Sequence, residues 1–171
     1  MIVTGVIVLL VAGFGGPTGG NPLGPVQTRN VHSSKTLAFG CKLYAADHEG
    51  HFPLHLSELE PEYIGKGGVA KLRCSSVGRD DASKFQMDWL YFGAGFDDKN
   101  PPRLLIASPR ADTSGTVKMA RVMVQGDMAP RVAKEDNYQQ LLGETVKQIR
   151  ALQRARKAGP STPAPDSQTP H

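Results

Sequence analysis

Glycine and proline crowd both ends of this chain, and that crowding limits where a fold can lie. Of 171 residues, 19 are Gly and 13 are Pro, and they gather between Gly13 and Pro25 and again from Gly159 to Pro170. Stretches so rich in helix breakers, with no apolar period, support neither helix nor strand. Residues 15–26 therefore read as a spacer and 158–171 as a disordered tail, leaving roughly 110–130 residues for one core. Ahead of the spacer, residues 1–14 form an apolar run, and no charged side chain occurs before Arg29. The run is shorter than the ~20 residues that span a bilayer comfortably and carries no leading Lys or Arg. Retained membrane anchor and cleaved signal segment both stay open.

Between these ends the apolar periodicity changes twice. Val31, Ser34, Leu37, Cys41 and Tyr44 follow helical spacing, with Ala38, Leu43 and Ala45 widening the stripe. This predicts a helix from about Gln27 to near Gly50, with Pro53 barring its continuation. Ser57 is placed to cap a short helical turn through Glu60. Strand-like texture follows at 70–74, 89–92, 103–108, 120–125 and 131–133, the last two joined as a hairpin through Gly126 and Asp127. Polar turn clusters at 78–81 and 97–102 separate strands. A closing amphipathic helix over 134–157 carries Tyr138, Leu141, Leu142, Val146, Ile149 and Leu152 on one side. Helices flanking a small meander give an α+β fold class.

Charge and composition exclude several functions. The net charge of +4 is concentrated in Lys147, Arg150, Arg154, Arg156 and Lys157, so the rest of the chain is close to neutral. Such a stretch reads as a solvated basic helical face, not a nucleic-acid footprint. Aromatic residues make up only 6%, too few for a base-stacking platform. Two cysteines cannot build a disulfide framework or a four-thiolate zinc site, although a Cys41–Cys74 disulfide fits an exported protein.

Two polar clusters are candidates for metal. Asp47 to His55 holds His48, His51 and His55, residue types that bind zinc, but Gly50 and Pro53 interrupt the helix that would align them. Asp97, Asp98 and Asn100 offer the hard oxygen donors that calcium prefers, without the register of an EF-hand. Ser108, Ser114, Cys41 and Cys74 are the available nucleophiles, and none sits in a hydrolase elbow or cysteine-protease signature. The residues themselves thus predict no catalytic centre, no bound cofactor apart from a candidate calcium, and no phosphate loop.

The order of landmarks is more specific than any one of them. Lys42-Leu-Tyr-Ala-Ala-Asp-His-Glu-Gly-His-Phe-Pro53 is followed by Leu59-Glu-Pro-Glu-Tyr-Ile64, Lys71-Leu-Arg-Cys74 and Trp89-Leu-Tyr-Phe-Gly-Ala-Gly95. Arg121-Val-Met-Val-Gln-Gly-Asp127 and Tyr138-Gln-Gln-Leu-Leu142 complete the series. Over residues 27–143 the chain resembles the pseudopilin-like proteins (type IV pilin-like, type II secretion system protein G-like) of Verrucomicrobia and Planctomycetes. The resemblance implies a pilin-like fold, with an N-terminal helix packed on a small antiparallel sheet. Leu37, Cys41, Tyr44, Phe52, Leu56, Leu59, Tyr63, Trp89, Tyr91 and Val122 would be its core, and residues 144–157 a basic helical extension.

It also implies a non-enzymatic structural or assembly component related to type II secretion and type IV pilus systems. Such a protein sits in the bacterial inner membrane with its globular domain on the periplasmic side. Its partners would be other pseudopilin-like subunits or secretion-assembly proteins and the membrane, with no nucleic acid. The N-terminus departs from the family. Gly5 is followed by Val6, Leu10 stands where the family's fifth mature residue is Glu, and no Glu precedes Glu49. Either the chain is a divergent paralogue or its leader begins further upstream. Two other readings are a soluble periplasmic binding module on the same fold and a metal-dependent hydrolase using His48, His51 and His55.

Overall fold

The computed structural model describes residues 23–77, 84–112 and 119–158. The apolar run, most of the spacer, the 78–81 turn cluster, Ser114 and the tail lie outside the described residues. The fold is α+β: two long helices enclose a small antiparallel sheet, as expected for a pilin-like arrangement.

Helix α1 (Pro25–Asp47) starts two residues before the expected position, with Pro25 in its first turn and Gly24 extended ahead of it. Proline suits that place because the first helical N–H groups have no intrahelical partner. The buried face of α1 is mostly small: Ser33, Ser34, Ala38, Gly40, Cys41 and Ala45 accompany Leu37. Small side chains bring the helix axis close to whatever it covers. A Cβ on Gly40 would sit 3.0 Å from Ile64 and 3.3 Å from Leu59, so the chain after the helix packs tightly there. Leu43, expected in this stripe, is exposed instead, as is its neighbour Phe39.

The helix ends where Glu49 and Gly50 take positive φ, and the Gly50 amide closes back on the Ala45 carbonyl at 2.8 Å. That closure satisfies a carbonyl the helix end would otherwise leave open. The exit is then stitched to residues 96–98: Phe52 N–H donates to Phe96 O, and Asp98 N–H to Gly50 O. A 3-10 turn follows at Leu56–Leu59. Its cap is His55 and not Ser57, because the Glu58 carboxylate reaches back to the His55 amide.

A short helix α2 (Gly68–Lys71) replaces the strand expected at 70–74. The Glu60 carboxylate accepts from the Gly67 and Val69 amides, both at 2.8 Å, and that nonlocal cap holds the turn. Strand β1 (Cys74–Val77) comes after it and pairs antiparallel with β2 (Lys84–Met87).

The main sheet runs β3 (Leu90–Tyr91), β4 (Leu104–Ala107), β5 (Ala120–Gln125) and β6 (Pro130–Lys134), in that spatial order and antiparallel throughout. Alternation along β5 sends Val122 and Val124 into the α1-side core and Met123 into the opposite one. On β4 the register shifts between Leu104 and Ile106. This irregularity puts both Leu105 and Ile106 into the α1-side core, while Leu104 and Ala107 face the other.

Helix α3 (Glu135–Ala158) covers that second face with Tyr138, Leu141 and Leu142. It continues unbroken through 144, and Ile149 and Leu152 pack against the α1-side core. Where it passes β4, the Thr145 hydroxyl accepts the Leu104 amide (3.0 Å) and the Gln148 side chain accepts the Arg103 amide (2.8 Å). Thr145 is fully buried. Thr145→Val keeps its shape but strands the Leu104 amide, and is expected to cost about 1–3 kcal/mol in denaturant unfolding.

The start of α3 is locked by Arg121. Its guanidinium bonds both Glu135 oxygens (2.7 and 3.1 Å), donates to Ser108 O and lies 4.2 Å from the Tyr138 ring centre. The Arg121 hydrogen bonds hold the Glu135 carboxyl below its usual 4.5. A depressed carboxyl stabilises the fold above its unfolded value, and that contribution is lost as pH falls through the folded value. Arg121→Gln is expected to cost about 1–2 kcal/mol at neutral pH. The gap to the unaltered chain should close as pH drops below 4.5 in a series of denaturant melts.

Candidate functional site

One hollow lies at the exit of α1. About 590 Å³ in volume, it is bounded by Tyr44, Asp47, His48, His51, Phe96 and Arg156 among others. The His48 ring stacks on Tyr44 (centroids 3.7 Å apart, planes within 3°), with its Nδ1 on the Tyr44 carbonyl at 2.8 Å. The Tyr44 hydroxyl donates to Glu58 and the Tyr63 hydroxyl to Asp47, both at 3.0 Å. The Glu58 bond pushes the Tyr44 phenol above its ordinary value, while burial and then Asp47 do so for Tyr63. Glu58 also accepts the Leu54 and His55 amides, so this carboxylate ties three segments together.

The three candidate zinc residues do not converge. His48 and His51 line this hollow, whereas His55 lines a second one of about 600 Å³ with Leu54, Leu56, Val69, Trp89 and Tyr91. The candidate calcium donors are only partly brought together. Asp97 Oδ1 accepts the Lys99 and Asn100 amides of its own turn (3.0 and 2.7 Å), and the Asp98 carboxylate lies against Gly50. Asp97 and Asn100 both border a third hollow of about 400 Å³ beside α3. Among the described residues no group of three or more His, Cys, Asp or Glu side chains is placed to hold a metal ion.

The candidate nucleophiles among the described residues are engaged or buried. Ser108 Oγ donates to Arg110 O and accepts the Val122 amide. Cys41 and Cys74 are buried free thiols, not a disulfide. Cys41 bonds with Tyr91 and Cys74 with the Ser75 carbonyl, so each thiol has its own partner. Burial pushes both up to about 12, which keeps them protonated and unreactive near neutral pH.

Two features escaped the sequence reading. Asn30, fully engaged inside α1, pairs with the Ser75 backbone in both directions at 2.8 Å, its amide taking the place of a neighbouring strand. No periodic signal marks such a residue, because a polar side chain on the inner face of a helix reads as a gap in the stripe. The other is the outer face of α1, where Phe39 (56% exposed) and Leu43 (39% exposed) stand among Arg29, Lys35 and Lys42. The basic residues of α3 at 147, 150, 154 and 157 are likewise exposed.

Of the sequence-expected core, Leu37, Cys41, Phe52, Leu59, Trp89 and Val122 are buried, and Tyr44, Leu56, Tyr63 and Tyr91 pack against it partly exposed. Among the described residues no helix is long and apolar enough to cross a membrane. Comparisons with family models, curated proteins and solved structures find no match for this chain.

Proposed function

We propose that the chain is a non-enzymatic, membrane-associated pseudopilin-like protein, a structural or assembly component related to type II secretion and type IV pilus systems. One observation carries this reading. The small-residue face of α1 lies across the antiparallel sheet, and the helix follows an apolar, charge-free stretch of sequence after only a short spacer. A helix in that position connects whatever holds the apolar stretch to a rigid head. The engaged serine and the protonated thiols support a scaffolding role over covalent catalysis. Its partners in this reading are other pseudopilin-like subunits or secretion-assembly proteins, at the bacterial inner membrane with the head on the periplasmic side.

Fractionation of cells expressing the full chain tests it. The expected result is protein that stays with membranes through a high-salt wash, and release by Val8→Asp, which places a charge in the apolar run. Recovery of the unaltered chain with soluble periplasmic contents would favour the binding module instead. The Trp89 hollow, apolar apart from His55, Ser57 and the Arg73–Asp88 pair (2.9 Å), is the feature such a module would use.

A further inference from the structure

The outer face of α1 is chemically one-sided. Along α1 the cations are Arg29, Lys35 and Lys42, and the single acid is the last residue, Asp47, which accepts the Tyr63 hydroxyl. All three are exposed, and the helical period gathers them with Phe39 and Leu43 on the arc opposite the buried stripe. Nothing among the described residues covers that arc: β1 and the 3-10 turn flank the helix, and β4, β5 and β6 lie beneath it.

An exposed aromatic and a leucine ringed by Lys and Arg form the pattern of a helix that settles at a lipid interface. Rings and aliphatic groups enter the headgroup boundary while the cations meet anionic headgroups. A second copy docked face to face would set three cations against three, which repels at short range. Chain geometry points the same way. The apolar run ends at Phe14 and α1 starts at Pro25, so at most about 40 Å of extended chain separates them.

We infer that the outer face of α1 is a membrane-docking surface, with Phe39 and Leu43 inserted shallowly and Arg29, Lys35 and Lys42 bound to anionic lipid headgroups. The head then lies with α1 along the bilayer and its sheet and α3 turned away. This rests on the membrane association proposed above but adds an orientation that association alone does not fix.

The test uses the full chain carrying Phe39→Trp, with the unaltered chain supplying the Trp89 background. It is mixed with vesicles of pure phosphatidylcholine or with added phosphatidylglycerol, and both emission and co-sedimentation are read. The expected result is a blue shift, quenched by brominated lipid, on phosphatidylglycerol vesicles and absent on phosphatidylcholine ones. Adding Lys35→Gln and Lys42→Gln should lower the docked-to-undocked ratio about thirtyfold, from ~1 kcal/mol per cation near an anionic surface.

Co-sedimentation without a blue shift overturns the docking while leaving membrane association intact, and is the outcome if an acidic protein is the true partner. Failure to sediment with either vesicle removes both readings. Emission already blue-shifted before lipid is added also overturns the inference, since the face is then covered by the chain itself or by another copy.

Discussion

Asn30→Ala should lower the unfolding free energy by about 2–4 kcal/mol, because it leaves two backbone groups of Ser75 without the partner they have now. In the native chain the Asn30 side-chain N–H donates to Ser75 O and its carbonyl accepts Ser75 N–H, both at 2.8 Å. Asn30 is itself almost fully buried, so water does not readily replace the lost amide. The β1–β2 hairpin is a sheet of two strands, and such a pair is marginal without something to pack on. The clamp therefore fixes both the position of the hairpin and its register against α1.

Asn30→Asp separates the two bonds. It keeps an acceptor for Ser75 N–H but sets a carboxylate against Ser75 O, and should be at least as damaging as alanine. Denaturant melts give the energies, and hydrogen exchange at the Ser75 amide gives the local effect. If Asn30→Ala costs under about 0.5 kcal/mol with Ser75 protection unchanged, the clamp holds nothing.

The long elements were legible because their signals are local and repeated. The α3 expectation of 134–157 meets a helix at 135–158, and β5 falls on its expected limits, since its run is rich in β-branched and apolar residues with Val122 and Val124 at strand spacing. Elements whose cause lies elsewhere in the chain were not legible. Helix α2 depends on the Glu60 carboxylate, seven and nine residues from the amides it caps. Strand β2 alternates polar and apolar residues over only four positions, Lys84 to Met87, and its pairing with β1 supplies what so short a signal lacks.

The hairpin after β5 divides the two uses of glycine. Met128, not Gly126, takes the positive φ of 63°, and the Met128 amide closes on Gln125 O at 2.9 Å. Gly126 is there for space, since a Cβ would lie 2.8 Å from Pro102 O and 2.9 Å from the Pro101 ring. The candidate site follows the same division. The histidines and acids near α1's end were visible as a cluster, but their division between two hollows depends on the Glu58 tie and the residue 96–98 bridge, neither local.

Gly93→Ala, two residues past β3, is expected to be among the most damaging single substitutions, at about 3 kcal/mol. A Cβ at this buried position would fall 2.6 Å from Cζ and 2.7 Å from Cε2 of Tyr91, with the hydroxyl closer still. The ring has little freedom to give way. Its hydroxyl donates to Pro53 O at 2.8 Å, joining the main sheet's first strand to the chain leaving α1, and it shares a hydrogen bond with the buried Cys41 thiol. Burial also drives the Tyr91 phenol upward, so it stays a donor throughout the accessible pH range. Swinging the ring aside would strand the Pro53 carbonyl and open the core around Cys41. A double-mutant cycle identifies the clash as the cause. On a Tyr91→Leu background the ring is gone, and Gly93→Ala should cost under about 1 kcal/mol, a coupling of about 2 kcal/mol between the two positions. Equal costs on both backgrounds would place the damage in the backbone at Gly93 and not in its contact with Tyr91.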